Sequence, residues 1–199
     1  MQHTAEYFDS LYKRDPDPWK FKSRWYEFRK RALTLACLPQ FRYASAYEPG
    51  CANGELSAAL AGRCDRLVVS DGSALAVAMA SERLHAHANV EVMHVWVPAQ
   101  WPAETFDLVV LSEFGFYLDG PSLDALADRV LASLRQGATV LACHWRRPID
   151  GCALDGDEVH QRLERRLALP RISQLLEPDM RLDVWCADPL SVAQREGFA

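Results

Sequence analysis

The chain has 199 residues, 49% of them hydrophobic and 25% charged, a globular mixture long enough to bury a core and unlike that of a disordered chain. Its formal charge of -5 argues against a protein built mainly to hold nucleic acid. No apolar run approaches the roughly 18–20 residues that cross a bilayer, and the first residues, MQHTAEYFDS, carry no secretory h-region, so a cytoplasmic chain is expected.

Residues 1–43 precede the first strand signal. Pro16 and Pro18 stiffen the loop DPDPW. Residues 23–38, SRWYEFRKRALTLACL, predict an amphipathic helix that buries Trp25, Phe28, Ala32 and Leu35. Lys20, Lys22, Arg24, Arg29, Lys30 and Arg31 then form a basic outer face. Asp9, Asp15, Asp17 and Glu27 dilute it, and no nucleic-acid motif is present.

From residue 44 onward strands and helices alternate. A strand from Ala44 to Glu48 leads into EPGCANG, and ELSAALAG predicts a helix closing at Gly62. RLVVSD ends at Asp71, Ser73 caps an alanine-rich helix, and a third strand starts at Val90. FDLVVLS, residues 106–112, is apolar at nearly every position, as a central parallel strand should be. A helix from Ser122 to about Leu134 is ended by Gly137, and ATVLACH follows as the fifth strand. Beyond it, residues 157–169 predict a helix stopped by Pro170. RISQLLE and MRLDVWCA then lie at hairpin spacing, an antiparallel pair at the sheet's edge. The expectation is one α/β domain: a lid loop and helix over 1–43, a core over 44–145, and a helix with an edge hairpin over 146–199.

The six cysteines, Cys37, Cys51, Cys64, Cys143, Cys152 and Cys186, form no C-x-x-C pair and are read as small apolar residues rather than a disulfide framework. His85 and His87 point to different faces of a helix, so no metal site is expected.

In an open parallel sheet, ligands bind at the carboxyl ends of the central strands, where the strand order reverses. There Gly50 lets the backbone approach a ligand, and Gly54 lets the next helix pack near the strand. The dinucleotide pattern G-x-G-x-x-G is absent, which disfavours a nicotinamide oxidoreductase. Glu48 ahead of the glycines suits a ligand without phosphate, its amino-acid end lying along the loop. Asp71, ending the next strand, can accept from both hydroxyls of a ribose, each charge-assisted bond contributing roughly 1.5–3 kcal/mol.

The segments EPGCANG, RLVVSDGS and FDLVVLSEFGFYL resemble successive motifs of class I methyltransferases that use S-adenosylmethionine (SAM). Their wording most resembles the nodulation protein S (NodS) group, strongly over residues 44–120 and more weakly at DPDPW and RLDVW. The resemblance implies a Rossmann-like, mostly parallel seven-stranded sheet with helices on both faces. It implies SAM as cofactor, S-adenosylhomocysteine (SAH) as product, and a small-molecule acceptor, which in that group is an amino sugar of a chitin oligosaccharide. Neither nucleic acid nor membrane is an expected partner, and a monomer or homodimer fits. By position, Glu48, Gly50, Cys51, Ala52 and Gly54 would line the methionine end, and Asp71 would bind the ribose. Ser112 and Glu113 would lie beside cofactor and acceptor. Trp19 would fold over the pocket, where its ring meets the sulfonium for roughly 0.5–2 kcal/mol. Where many relatives carry an acid for the adenine amino group, this chain reads Val95-Trp96-Val97-Pro98, and Trp96 either stacks on adenine or packs. Tyr-Tyr-Leu of relatives is Phe116-Tyr117-Leu118 here, after Gly115, so the acceptor side is reshaped.

Methyl transfer from a sulfonium is an in-line displacement, and positioning alone can supply as much as roughly 7–11 kcal/mol. Groups placed to take a proton at the ends of the fourth and fifth strands are Glu113, Tyr117 and His144, with His160 on the following helix behind them. Arg146 and Arg147 offer contacts to an anionic acceptor. N-methylation of an amine or amino sugar is the leading reading. O-methylation of a hydroxyl or carboxylate, and a SAM-binding module without turnover, would use the same loop.

Overall fold

The computed structural model describes residues 3–198. Its strands are β1 (Tyr43–Pro49), β2 (Cys64–Asp71), β3 (Val90–His94), β4 (Phe106–Ser112), β5 (Leu134–Trp145), β6 (Arg171–Leu176) and β7 (Met180–Cys186). The helices are α1 (Ala5–Arg14), α2 (Trp25–Ala36), α3 (Glu55–Ala61), α4 (Ala74–Leu84), α5 (Gly120–Ser133), α6 (Gly156–Leu167) and α7 (Val192–Arg195), with a 3-10 turn at Gly115–Tyr117. The sheet order is β3-β2-β1-β4-β5-β7-β6. The first five strands run parallel, while β7 is antiparallel to both its neighbours, β5 and β6. The expected C-terminal hairpin is present, with its second strand inserted inward and β6 left at the edge.

Strands buried on both faces explain the near-continuous apolar runs. In β4, Leu108 and Val110 face a cluster with Leu60 of α3 and Leu84 of α4, while Val109 and Leu111 face Leu123 and Leu126 of α5 and Leu163 of α6. Each such side chain contributes roughly 1.5–3 kcal/mol by leaving water. The caps follow the sequence. Ser73 accepts from the Ala76 amide at 3.2 Å, Asp119 from that of Ser122 at 2.9 Å, and Asp155 and Glu158 form a reciprocal box at the start of α6.

Four expectations are corrected. Helix α5 ends at Ser133, and β5 begins at once, so Gly137 lies inside the strand with φ of 73° rather than ending a helix. Helix α1 occupies residues for which no element is predicted from the sequence. Gly54 spares room for a helix rather than a strand: a Cβ there would sit 3.3 Å from Ala80 Cα of α4. The largest change is in α2. Its buried residues are Glu27, Lys30 and Thr34, while Trp25 is 76% exposed and Phe28 48%. Helix α2 roofs a cavity instead of lying flat on the sheet, so its polar stripe turns inward, where the charges pair.

Among the described residues, no helix is long and apolar enough to cross a membrane. All six cysteines are free.

Candidate active site

A cavity of about 460 Å³ opens at the carboxyl ends of β1, β2 and β4, beside the reversal of strand order between β1 and β4. Its floor is the loop after β1. Gly50 and Gly54 take φ of 74° and 79°, and Ala52 sits at 50°, a left-handed conformation unusual for a residue with a Cβ. A Cβ on Gly50 would lie 3.1 Å from the Phe114 ring, so the loop is pressed against the chain leaving β4.

Asp71 holds this loop to the second strand. Its carboxylate accepts from the Ala52 amide at 3.0 Å and from the Ser73 amide at 2.9 Å. A carboxylate offers about four lone-pair sites, so two remain for a ligand's hydroxyls. Burial raises the Asp71 carboxyl above its ordinary range, and backbone donors work against that. Glu48 is 2% exposed and accepts from the Ser57 hydroxyl at 2.6 Å, and burial pushes its carboxyl up to about 8. Trp96 covers Gly72 so closely that a Cβ there would sit 2.0 Å from the indole. The ring therefore forms part of the wall beside Asp71.

The roof comes from the N-terminal stretch. Asp17 accepts from the amides of Phe21 and Lys22 at 2.8 and 3.0 Å and from the Asn53 side chain at 3.2 Å, tying the DPDPW loop to the glycine loop. Asn53 is 2% exposed and lines the cavity, and among the described residues its own carbonyl oxygen has no partner. Sequence reasoning missed Asn53, which stands among the residues of EPGCANG. Trp19 lines the cavity against Tyr12 and Phe21, each ring 5.6 Å away.

The far end is built around Lys30. Its ammonium lies 2.8 Å from both Glu27 and Glu113, with the Tyr26 ring 5.3 Å away and that of Phe21 at 5.8 Å. Burial works to lower the Lys30 pKa, but the two carboxylates win and hold it above the ordinary lysine range. The second oxygen of Glu113 accepts from the Trp145 amide at 3.0 Å, and Glu113 itself has φ of 58°. Tyr117 lines the cavity near this end, its phenol pushed up by burial.

Of the residues singled out in the sequence, Trp19, Glu48, Gly50, Cys51, Ala52, Asp71, Trp96, Ser112, Glu113 and Tyr117 line this cavity. Gly54 shapes the loop from behind. His144 and His160 are fully buried outside the cavity wall and bonded to each other at 3.1 Å. Arg146 pairs with Asp157 at 2.8 Å and Arg147 with Asp179, so both are committed elsewhere. Among the described residues no group of histidine, cysteine and acidic side chains has the arrangement of a metal site.

Residues 6–148 match the family model of nodulation protein S. The chain belongs to the NodS family. A nodulation protein S of Rhizobium tropici is 33% identical over 103 residues, which are 51% of this chain and 43% of that protein, so the chain spans less than half the length of this curated relative. A Pseudomonas syringae protein of known structure, provisionally named a methyltransferase, is 49% identical with a TM-score of 0.75, covering 82% of this chain and 99% of its own. The N-methyltransferase NodS of Bradyrhizobium japonicum WM9, solved with SAH, superposes with a TM-score of 0.79 at 23% identity, covering 90% and 97% of the two chains. At that identity the likeness speaks for the fold, which is that of class I methyltransferases.

Proposed function

We propose that this NodS-family chain is a SAM-dependent methyltransferase that methylates the nitrogen of a small amine or amino sugar. One observation carries the reading. A single cavity joins the carboxyl groups of Glu48 and Asp71, at the ends of β1 and β2, to a second polar cluster, Glu113 with Lys30, at the end of β4. That span suits a cofactor with an amino-acid end and a ribose, and then an acceptor.

The residues present fit SAM. Asp71 keeps two lone-pair sites for the ribose, and the unpartnered Asn53 carbonyl offers an acceptor to the amino-acid end. Glu48 stands ready to ionise beside a cation. When bound, SAM supplies the methyl group on a sulfonium. The chain's own contribution is positioning: Trp19 and Tyr12 close the cavity from above, and the Lys30-held Glu113 and Tyr117 shape the acceptor side. Both Glu113 oxygens are engaged, and the phenol of Tyr117 stays protonated near neutrality, so these groups orient an acceptor already carrying a free lone pair.

Incubating the protein with methyl-labelled SAM and a fractionated cell extract tests this. A labelled small molecule with its new methyl on nitrogen supports the reading. Label on oxygen overturns the amine assignment, and SAH binding without any labelled product overturns turnover.

A further inference from the structure

Behind the cavity wall runs a buried polar chain that the proposed chemistry leaves unused. The Gly115 amide donates to His144 Nε2 at 3.2 Å. His144 Nδ1 lies 3.1 Å from His160 Nε2, and His160 Nδ1 lies 2.7 Å from Asp183. His144 on β5, His160 on α6 and Asp183 on β7 are each fully buried. Asp183 also accepts from Arg181 at 2.7 Å and from Gln174 at 2.8 Å.

Donor direction along this chain has one solution. A backbone amide can only donate, so His144 Nε2 carries no proton and Nδ1 must carry it. Nδ1 therefore donates to a bare His160 Nε2, and the remaining proton of His160 points at the Asp183 carboxylate. Were His160 doubly protonated, both its nitrogens would donate. His144 would then need its proton on Nε2 and would lose Gly115. Burial pulls both histidines below their ordinary range, in keeping with neutral rings.

Gly115 is built for this contact. A Cβ there would meet Val159 Cγ1 at 2.7 Å and His144 Nε2 at 2.9 Å. The turn it opens continues through Phe116, whose ring packs edge-on at 5.6 Å against His144, to Tyr117, which meets Phe8 of α1 at 5.0 Å. We infer that Asp183, His160 and His144 form a buried positioning relay that locks His144 with its proton on Nδ1, so that its bare Nε2 holds the Gly115 amide and seats the Gly115–Tyr117 turn beneath α1. The relay links the C-terminal hairpin to the lid's resting place. None of its three members touches the cavity, so all act through Tyr117.

The direct test is the tautomer of His144 in the full chain, read from nitrogen-15 histidine NMR at neutral pH. The expected signal has a protonated Nδ1 and a bare Nε2. A proton on Nε2 overturns the relay. The second test rests on the SAM-site reading and uses SAH calorimetry. His144→Gln keeps an acceptor oxygen at the Nε2 position and should bind SAH within about twofold of the parent, whereas His144→Leu strands the buried amide and should bind about tenfold more weakly. Equal affinities in Leu variant and parent, or equal losses in both variants, would mean that His144 only fills space. If the Leu variant does not fold, Asp183→Asn substitutes: two His144 tautomers are expected, and one unchanged signal counts against the relay. A parent that binds no SAH would sink the cofactor reading, while the His144 signal still decides the relay.

Discussion

The ammonium of Lys30, on a helix ahead of the sheet, sits 2.8 Å from the carboxylate of Glu113, at the end of the central strand β4. Glu27 completes the cluster from one turn earlier on α2, and side-chain exposures of 7% for Lys30 and 17% for Glu113 leave little water to screen the pair. Removing one member of a buried pair costs more than the pair contributes, because the stranded charge keeps its desolvation penalty. Lys30→Met should therefore destabilise the chain by about 3–5 kcal/mol in urea unfolding. Glu113→Gln, which leaves Lys30 paired with Glu27, should cost clearly less. Equal midpoints for Lys30→Met and the parent would show the cluster to be solvated.

Asp71 serves both the fold and the proposed ribose contact. Asp71→Ala should weaken SAM and SAH binding by about 2–4 kcal/mol, since two charge-assisted bonds go together with the Ala52 tether. Asp71→Asn keeps one acceptor oxygen and should lose less. Calorimetry with normal SAH affinity in the Ala variant would remove Asp71 from the site.

The roof is pinned by the Asp17–Asn53 bond of 3.2 Å and by Trp19 against Tyr12. A ligand beneath the roof should hold it down, so proteolysis over residues 13–22 is expected to slow when SAH is added. Asn53→Ala should speed cleavage in the ligand-free chain. Identical digestion with and without SAH would make Trp19 a packing residue only.

Glu48 sets a pH dependence. Burial lifts its carboxyl from an ordinary 4.5 to about 8, so between those values the folded chain holds a proton that the unfolded chain has released. The stability it contributes is full below the unfolded value and is lost as pH rises through the folded one. Glu48→Gln should flatten this fall in thermal unfolding between about pH 4.5 and 8. SAH, bringing an ammonium to the same end, should release protons from the parent but not from the variant, measured by calorimetry in two buffers. No difference between buffers would place the ligand's amine elsewhere.

With the proposed amine acceptor, turnover should rise with pH as that amine loses its proton, because an ammonium has no lone pair to offer. General base catalysis typically contributes roughly 10²–10⁴-fold. With both Glu113 oxygens engaged and His144 behind the wall, Glu113→Gln and Tyr117→Phe should each lower kcat by less than that, about tenfold, with SAM affinity little changed. A drop of the full base-catalysis size in Glu113→Gln would make Glu113 the proton acceptor after all.

What the sequence determined by itself is local. Strand order in the chain, the cap at Ser73, the glycine loop and Asp71 at the end of β2 all follow from periodicity and turn chemistry within a few residues. What only the tertiary structure decided is which face of an element finds water. In β5 both faces are covered, so ATVLACH offers no alternation to tell that His144 points away from the cavity, and its partners His160 and Asp183 arrive from other elements. In α2 the aromatic stripe reads as the buried one because apolar area leaves water most readily. The helix roofs a cavity whose opposite wall carries Glu113, and pairing Lys30 there turned the polar stripe inward and left Trp25 in solvent.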